Sequence, residues 1–127
     1  MNETKINEII DYIKDDTALS AIFSERVTYH SFVNEPTSIN LIVRDLNDNR
    51  NLATGEALIE FRIVAPEKTI GPMDIRNHLN LIRDTFAKNA LTIGETRYYQ
   101  IEALNDIFVA QNPKAQYEGI TTLIFKE

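Results

Sequence analysis

The sequence has no cysteine, which removes disulfides, thiolate nucleophiles and cysteine-ligated zinc or iron–sulfur sites together. A reducing cytosol is compatible with that composition. Glycine is scarce, with four among 127 residues. None of them builds a G-x-G-x-x-G turn, a Walker-type phosphate loop or a G-x-S-x-G nucleophile elbow. Nucleotide binding by those devices and a hydrolase triad therefore have no support, and no cofactor is expected. Long apolar runs are missing too. The longest spans four residues, such as Ile107 to Ala110, far short of a bilayer span, so no membrane association is expected. The opening MNETKINEII carries acidic and amide groups where a secretory signal has a basic and then an apolar region, so export by that route is not expected. Basic charge is also in deficit: 13 Lys and Arg against 19 Asp and Glu give a net charge of −6. An acidic chain repels phosphate backbones on balance, which disfavours sequence-independent nucleic-acid binding.

What is present suits one globular α+β domain over residues 1–127. With 43% hydrophobic content, the chain is long enough for one core and too short for two ordinary domains. Ile6, Ile9, Ile10 and Ile13 recur at i, i+3, i+4 and i+7, which predicts an amphipathic helix. Asp15 and Asp16 end it, and Asp16 is placed to cap a short second helix over TALSAIF. A catalytic role for that acidic pair is less economical than capping. Branched and aromatic residues then predict strands in VTYHSFV, SINLIVRDL and EALIEFRIVA. In the last, Ala57, Ile59, Phe61 and Ile63 alternate with Leu58, Glu60, Arg62 and Val64, giving one apolar and one mixed face. Pro72 suits a first helical position, and Ile75, Leu79, Ile82 and Phe86 make the stripe of the helix it opens. Strand patterns return in TRYYQIEAL, DIFVAQ and YEGITTLIF. The expected order is helix, short helix, three strands, helix, three strands: a mostly antiparallel β-sheet with two amphipathic helices packed on it and a long β-hairpin loop.

That loop holds the one stretch with a ligand-like pattern. In DLNDNRNLATGE, residues 45–56, Asp45, Asn47, Asn49 and Glu56 stand at positions one, three, five and twelve of an EF-hand window. The sixth position, which must turn with positive φ and is normally glycine, is Arg50, and the flanks read as strands instead of helices. A polar hairpin connection is the better reading, with calcium a minor alternative. Its length exceeds what closing a hairpin requires, which makes it a plausible contact surface. His30 and His78 are too far apart for a local metal pair, and boundary packing explains each better than catalysis. Tyr98 and Tyr99 have only Arg97 as a basic neighbour, so packing explains them better than base stacking.

Asp16-Thr17-Ala18-Leu19, leading to Ile22-Phe23-Ser24-Glu25-Arg26-Val27, resembles the acidic start, short helix and "R-V" approach to the first strand of a known family. These are the tail-terminator, or tail-completion, proteins that join tail tube to head in long-tailed bacteriophages. The irregular Pro36 segment, the two-stranded ribbon with an extended loop, a helix from Asp74 to Lys88 and a chain-terminal strand extend the resemblance over nearly the whole chain. It implies a non-enzymatic virion subunit of the tail or neck, assembled from the host cytoplasm as a homo-oligomeric, six-fold ring. It further implies contacts with tail-tube protein and head-connector protein, and DNA passing through without specific binding. Sheet edges and the long loop are the expected contact surfaces, with Arg44, Asp45, Asp48, Arg50, Asn51 and Glu56 as the polar contact residues. A small bacterial binding module or regulatory adaptor of similar α+β build is the second reading, and an enzyme the third.

Overall fold

Each helix begins where a side chain or a proline deals with the N–H groups that the first turn leaves without partners. A computed structural model describes residues 1–30, 36–46 and 54–127. Helix α1 (Glu3–Asp15) starts at Asn2, whose side chain accepts the Lys5 N–H at 2.9 Å. Helix α2 (Thr17–Phe23) starts at Asp16, which accepts the Leu19 N–H at 3.0 Å, as the sequence predicts. Helix α3 (Pro72–Phe86) opens on Pro72, and the Asp74 carboxylate accepts the Gly71 N–H. The stripes expected from periodicity are the buried ones: Ile6, Ile9, Ile10 and Ile13 on α1, and Ile75, Leu79, Ile82 and Phe86 on α3.

The strands are β1 (Val27–Tyr29), β2 (Asn40–Asp45), β3 (Glu56–Pro66), β4 (Asn89–Ile93), β5 (Thr96–Ala103), β6 (Phe108–Asn112) and β7 (Gln116–Lys126). They form one curled sheet in the order β1-β2-β3-β7-β5-β4, with β6 beside β7. Every pairing is antiparallel except β1 with β2. Strands β2 and β3 make the expected hairpin, in register from Asn40↔Val64 to Asp45↔Ile59. Residues 47–53 of its connection, including the glycine-less sixth position of the calcium-like window, lie outside the described residues. Strands β5 and β6 share one flank of β7. The first pairs near Lys126 and the second near Gln116.

All three helices cover one face of the sheet. The odd-numbered positions of β3 and β7 meet them: Ile59, Phe61, Ile63, Leu123 and Phe125 are fully buried in one cluster with the helical stripes. Phe86 stacks on Phe61 with ring centroids 5.4 Å apart, and Tyr98 meets Phe125 edge-on at 5.2 Å. Such ring pairs are worth about 1 kcal/mol beyond the area they bury. At Gly119 the side chains of α3 press directly onto the β7 backbone. A Cβ there would stand 2.4 Å from Ile75 Cγ2 and 2.8 Å from Leu79 Cδ1, so the helix needs the missing side chain.

The sequence patterns missed β4. Asn89 and Ala90 are weak strand formers, and Ala90 sits at φ +67°, so pairing with β5 makes this strand and local preference does not. The turn between them uses Gly94 at φ +59°. Strand β6 starts at Phe108, two residues beyond the expected Asp106. His30, expected inside β1, follows its end at φ +53°.

Candidate functional site

Alternation puts the even-numbered residues of β3 on the face that the helices leave open. Register extends each into a row across the sheet. Arg44 lies beside Glu60, which lies beside Thr122; Ile42 lies beside Arg62, then Ile120, then Phe108. Glu56 lies beside Lys126, then Gln100. An apolar strand is thus interrupted by charges on one side only.

Glu60 is the pivot of these rows. It is 7% exposed, and a carboxylate so withdrawn from water needs charged partners. Arg62 Nε donates to its Oε1 at 3.0 Å, and Arg44 Nη1 lies 3.3 Å from the same oxygen. Arg62 continues to Glu118 at 3.5 Å. At the other end of β3, Lys126 contacts Glu102 at 2.8 Å and Glu56 at 4.0 Å. Hydrogen bonding to Glu102 holds the Lys126 ammonium above its ordinary pKa.

The N-terminal half of β7 closes one side of a trough of about 510 Å³ on this face. Ile42 and Val64 form an apolar floor; Arg44, Arg62 and Lys114 bring basic groups to it and His30 an imidazole, and Glu118 is the one carboxylate among the described lining residues. The β6–β7 turn, with Asn112 Oδ1 accepting the Lys114 N–H at 2.9 Å, fixes the Lys114 backbone at the rim. His30 Nε2 accepts the Asp45 N–H at 3.0 Å.

A second recess, on the helical side, has the opposite sign. Glu8, Asp11, Asp15 and Asp16 line it together with Tyr12 and Gly94. The Glu8 carboxylate accepts from Thr96 Oγ1 at 2.7 Å and from the Glu95 N–H. Those bonds, the Thr96 one foremost, lower its pKa. Asp11 and Asp15 are exposed and enter no ion pair among the described residues.

The expected contact residues are only partly brought together. Arg44 and Glu56 share the open face in separate rows, Arg44 beside Glu60 and Glu56 beside Lys126. Asp45 points the other way, as its pairing with Ile59 requires, and its Oδ2 lies 2.9 Å from the Met1 amine in a nearly buried ion pair. Asp48, Arg50 and Asn51 lie outside the described residues. Reading by motif missed Glu60, Arg62, Glu118 and Lys114. The available signal was Glu60 and Arg62 themselves, charges set two apart in a strand otherwise fit for a core. His78 is half-buried, edge-on to Phe23 at 6.3 Å, and desolvation lowers its pKa, which agrees with boundary packing. Burial likewise raises the pKa of the Tyr98 hydroxyl. Among the described residues, no three His, Asp or Glu side chains group as metal ligands, and no helix is long and apolar enough to cross a membrane.

No protein-family model matches the chain, and no curated protein matches it. Solved structures do. One similar chain belongs to a structure described as the virion of a native gene transfer agent particle, with a TM-score of 0.55 and 17% identity over 94% of this chain and 92% of that one. A second, whose name carries no functional description, has a TM-score of 0.53 and 15% identity over 99% and 95% of the two chains. At such identities the likeness establishes a shared fold, from end to end of the chain.

Proposed function

We propose that the protein is a structural subunit of a phage-like virion, and more narrowly a tail-terminator or tail-completion subunit that closes into a ring at the head–tail junction. The observation that carries this reading is the whole-chain likeness to a chain of a gene transfer agent virion. The open face agrees with it in kind, because it offers ordered ion pairs and an apolar-floored trough, a surface suited to docking macromolecules. In this role the chain is non-catalytic. Its partners are further copies of itself, tail-tube protein and head-connector protein, and DNA passes through the ring without specific binding. The net charge of −6 favours passage over adhesion, since an acidic bore repels phosphate.

Immunogold labelling of an epitope-tagged chain in particles from its own genome tests the role. Label confined to the junction of head and tail is expected. Particles that assemble fully without the protein, or carry it nowhere, would refute it.

A further inference from the structure

We propose that strand β6 is a self-pairing edge: in solution it binds β6 of a second copy of this chain, antiparallel and related by a twofold axis through Ala110. The inference does not rest on the ring reading, which needs a heterologous contact elsewhere on the chain.

Among the described residues three strands border the sheet, and two of them carry the protection that natural sheet edges use against further pairing. Strand β1 is only three residues long. Strand β4 is interrupted by Ala90, which at φ +67° falls out of the β4–β5 register. Strand β6 has neither device. Its sequence, FVAQN, contains no charge and no proline, and none of its residues has a positive φ. Phe108 at its start is 62% exposed on the open face. In a chain of net charge −6, where two copies repel on balance, this strand is a neutral stretch. Glu118, beside Ala110 in register, is held by Arg62.

The ladder fixes which groups of β6 are open. Thr122 accepts the Leu104 N–H, whereas Ala115 accepts from Glu67 and Glu127 donates to Gly55. Even-numbered residues of β7 therefore turn their backbone groups toward β5 and β6, and odd-numbered ones toward β3. Opposite the even ones, Phe108, Ala110 and Asn112 bond to β7, which leaves Val109 and Gln111 pointing their N–H and C=O groups outward. No backbone bond among the described residues reaches those outward groups. The Gln111 side chain donates to Glu67 and leaves its backbone open.

An antiparallel partner centred on Ala110 uses every one of them. Val109 then pairs with Gln111 of the second copy, the two exchanging both bonds, and Ala110 faces its own counterpart. Residues opposed between such bonded pairs approach to about 4.5 Å between Cα atoms, which two alanine methyls allow. Phe108 lies opposite Asn112 of the second copy and diagonal to its Ala110, so the exposed ring gains cover. Each chain has one such edge, so the pairing closes as a dimer and does not propagate.

Sedimentation equilibrium of the wild-type chain, with amide exchange read residue by residue, tests the pairing. A reversible dimer is expected, and exchange at Val109 and Gln111 should slow as concentration rises. Ala110→Lys and Ala110→Glu each set like charges opposite one another at the axis, on the open face where circular dichroism should show the fold intact. Each should weaken the dimer about fivefold or more, and an equal mixture of the two variants should restore dimers holding one copy of each. A wild-type monomer at every concentration, a dimer that both variants leave unchanged, or a mixture no tighter than either variant alone would overturn the proposal. Protection of Val109 and Gln111 that arises only with tail-tube protein would give the edge to a partner's strand and overturn it too.

Discussion

Strand β3 serves two faces that obey different rules. Toward the helices, Ile59, Phe61 and Ile63 are apolar and fully buried; toward the open side, Glu60 and Arg62 stand between Leu58 and Val64. Burial of apolar area accounts for the first face directly. The second is not a stability device of the same kind, because a withdrawn ion pair roughly breaks even against an apolar replacement. The comparison teaches that the covered face specifies the fold, while the open face holds charges in fixed positions that folding alone does not demand.

Substitutions on the two faces should therefore fail differently. The largest effect belongs to the covered face. Gly119→Val places methyls where Ile75 and Leu79 already lie, and should cost about 3 kcal/mol or prevent folding, measured by urea denaturation. Next comes Arg62→Met, which strips Glu60 of its nearer partner and should cost about 2 kcal/mol. Glu60→Leu combined with Arg62→Met should recover most of that loss. If the double variant is no more stable than Arg62→Met alone, the distinction between the faces collapses. Asp16→Ala removes the cap of α2 and should cost about 1 kcal/mol in the same assay.

The smallest effects concern pH. His78 and Glu8 both have lowered pKa values in the folded chain, so at intermediate pH the unfolded chain binds more protons and stability falls with acidification. The His78 contribution is complete above its ordinary value of 6.5 and is lost as pH falls from there through the folded pKa. The Glu8 contribution is complete above 4.5 and is lost below it. Thermal melts across pH should show that Glu8→Gln flattens the lower limb and His78→Leu the upper. A Glu8→Gln profile identical to wild type would mean that its bonds to Thr96 and Glu95 hold no stability.

Much of the covered face was legible in the sequence, because helical and strand periodicity are local and burial follows them. The isoleucines of α1, the stripe of α3 and the Asp16 cap all fell where spacing placed them. Strand β4 was not legible, since Asn89 and Ala90 become a strand only through their partner β5. The trough was not legible either. Arg44, Arg62 and Lys114 come from three separate strands or turns, and only the register of β2, β3 and β7 brings them together. Asp45 shows the same limit in reverse: reading the hairpin as a polar contact loop gave no sign that its parity would turn this carboxylate inward.

A cryo-EM reconstruction of the particle's neck, at a resolution that traces strands, tests the central claim most directly. The expected result is a closed ring of this fold at the head–tail junction. A neck without this fold would contradict it.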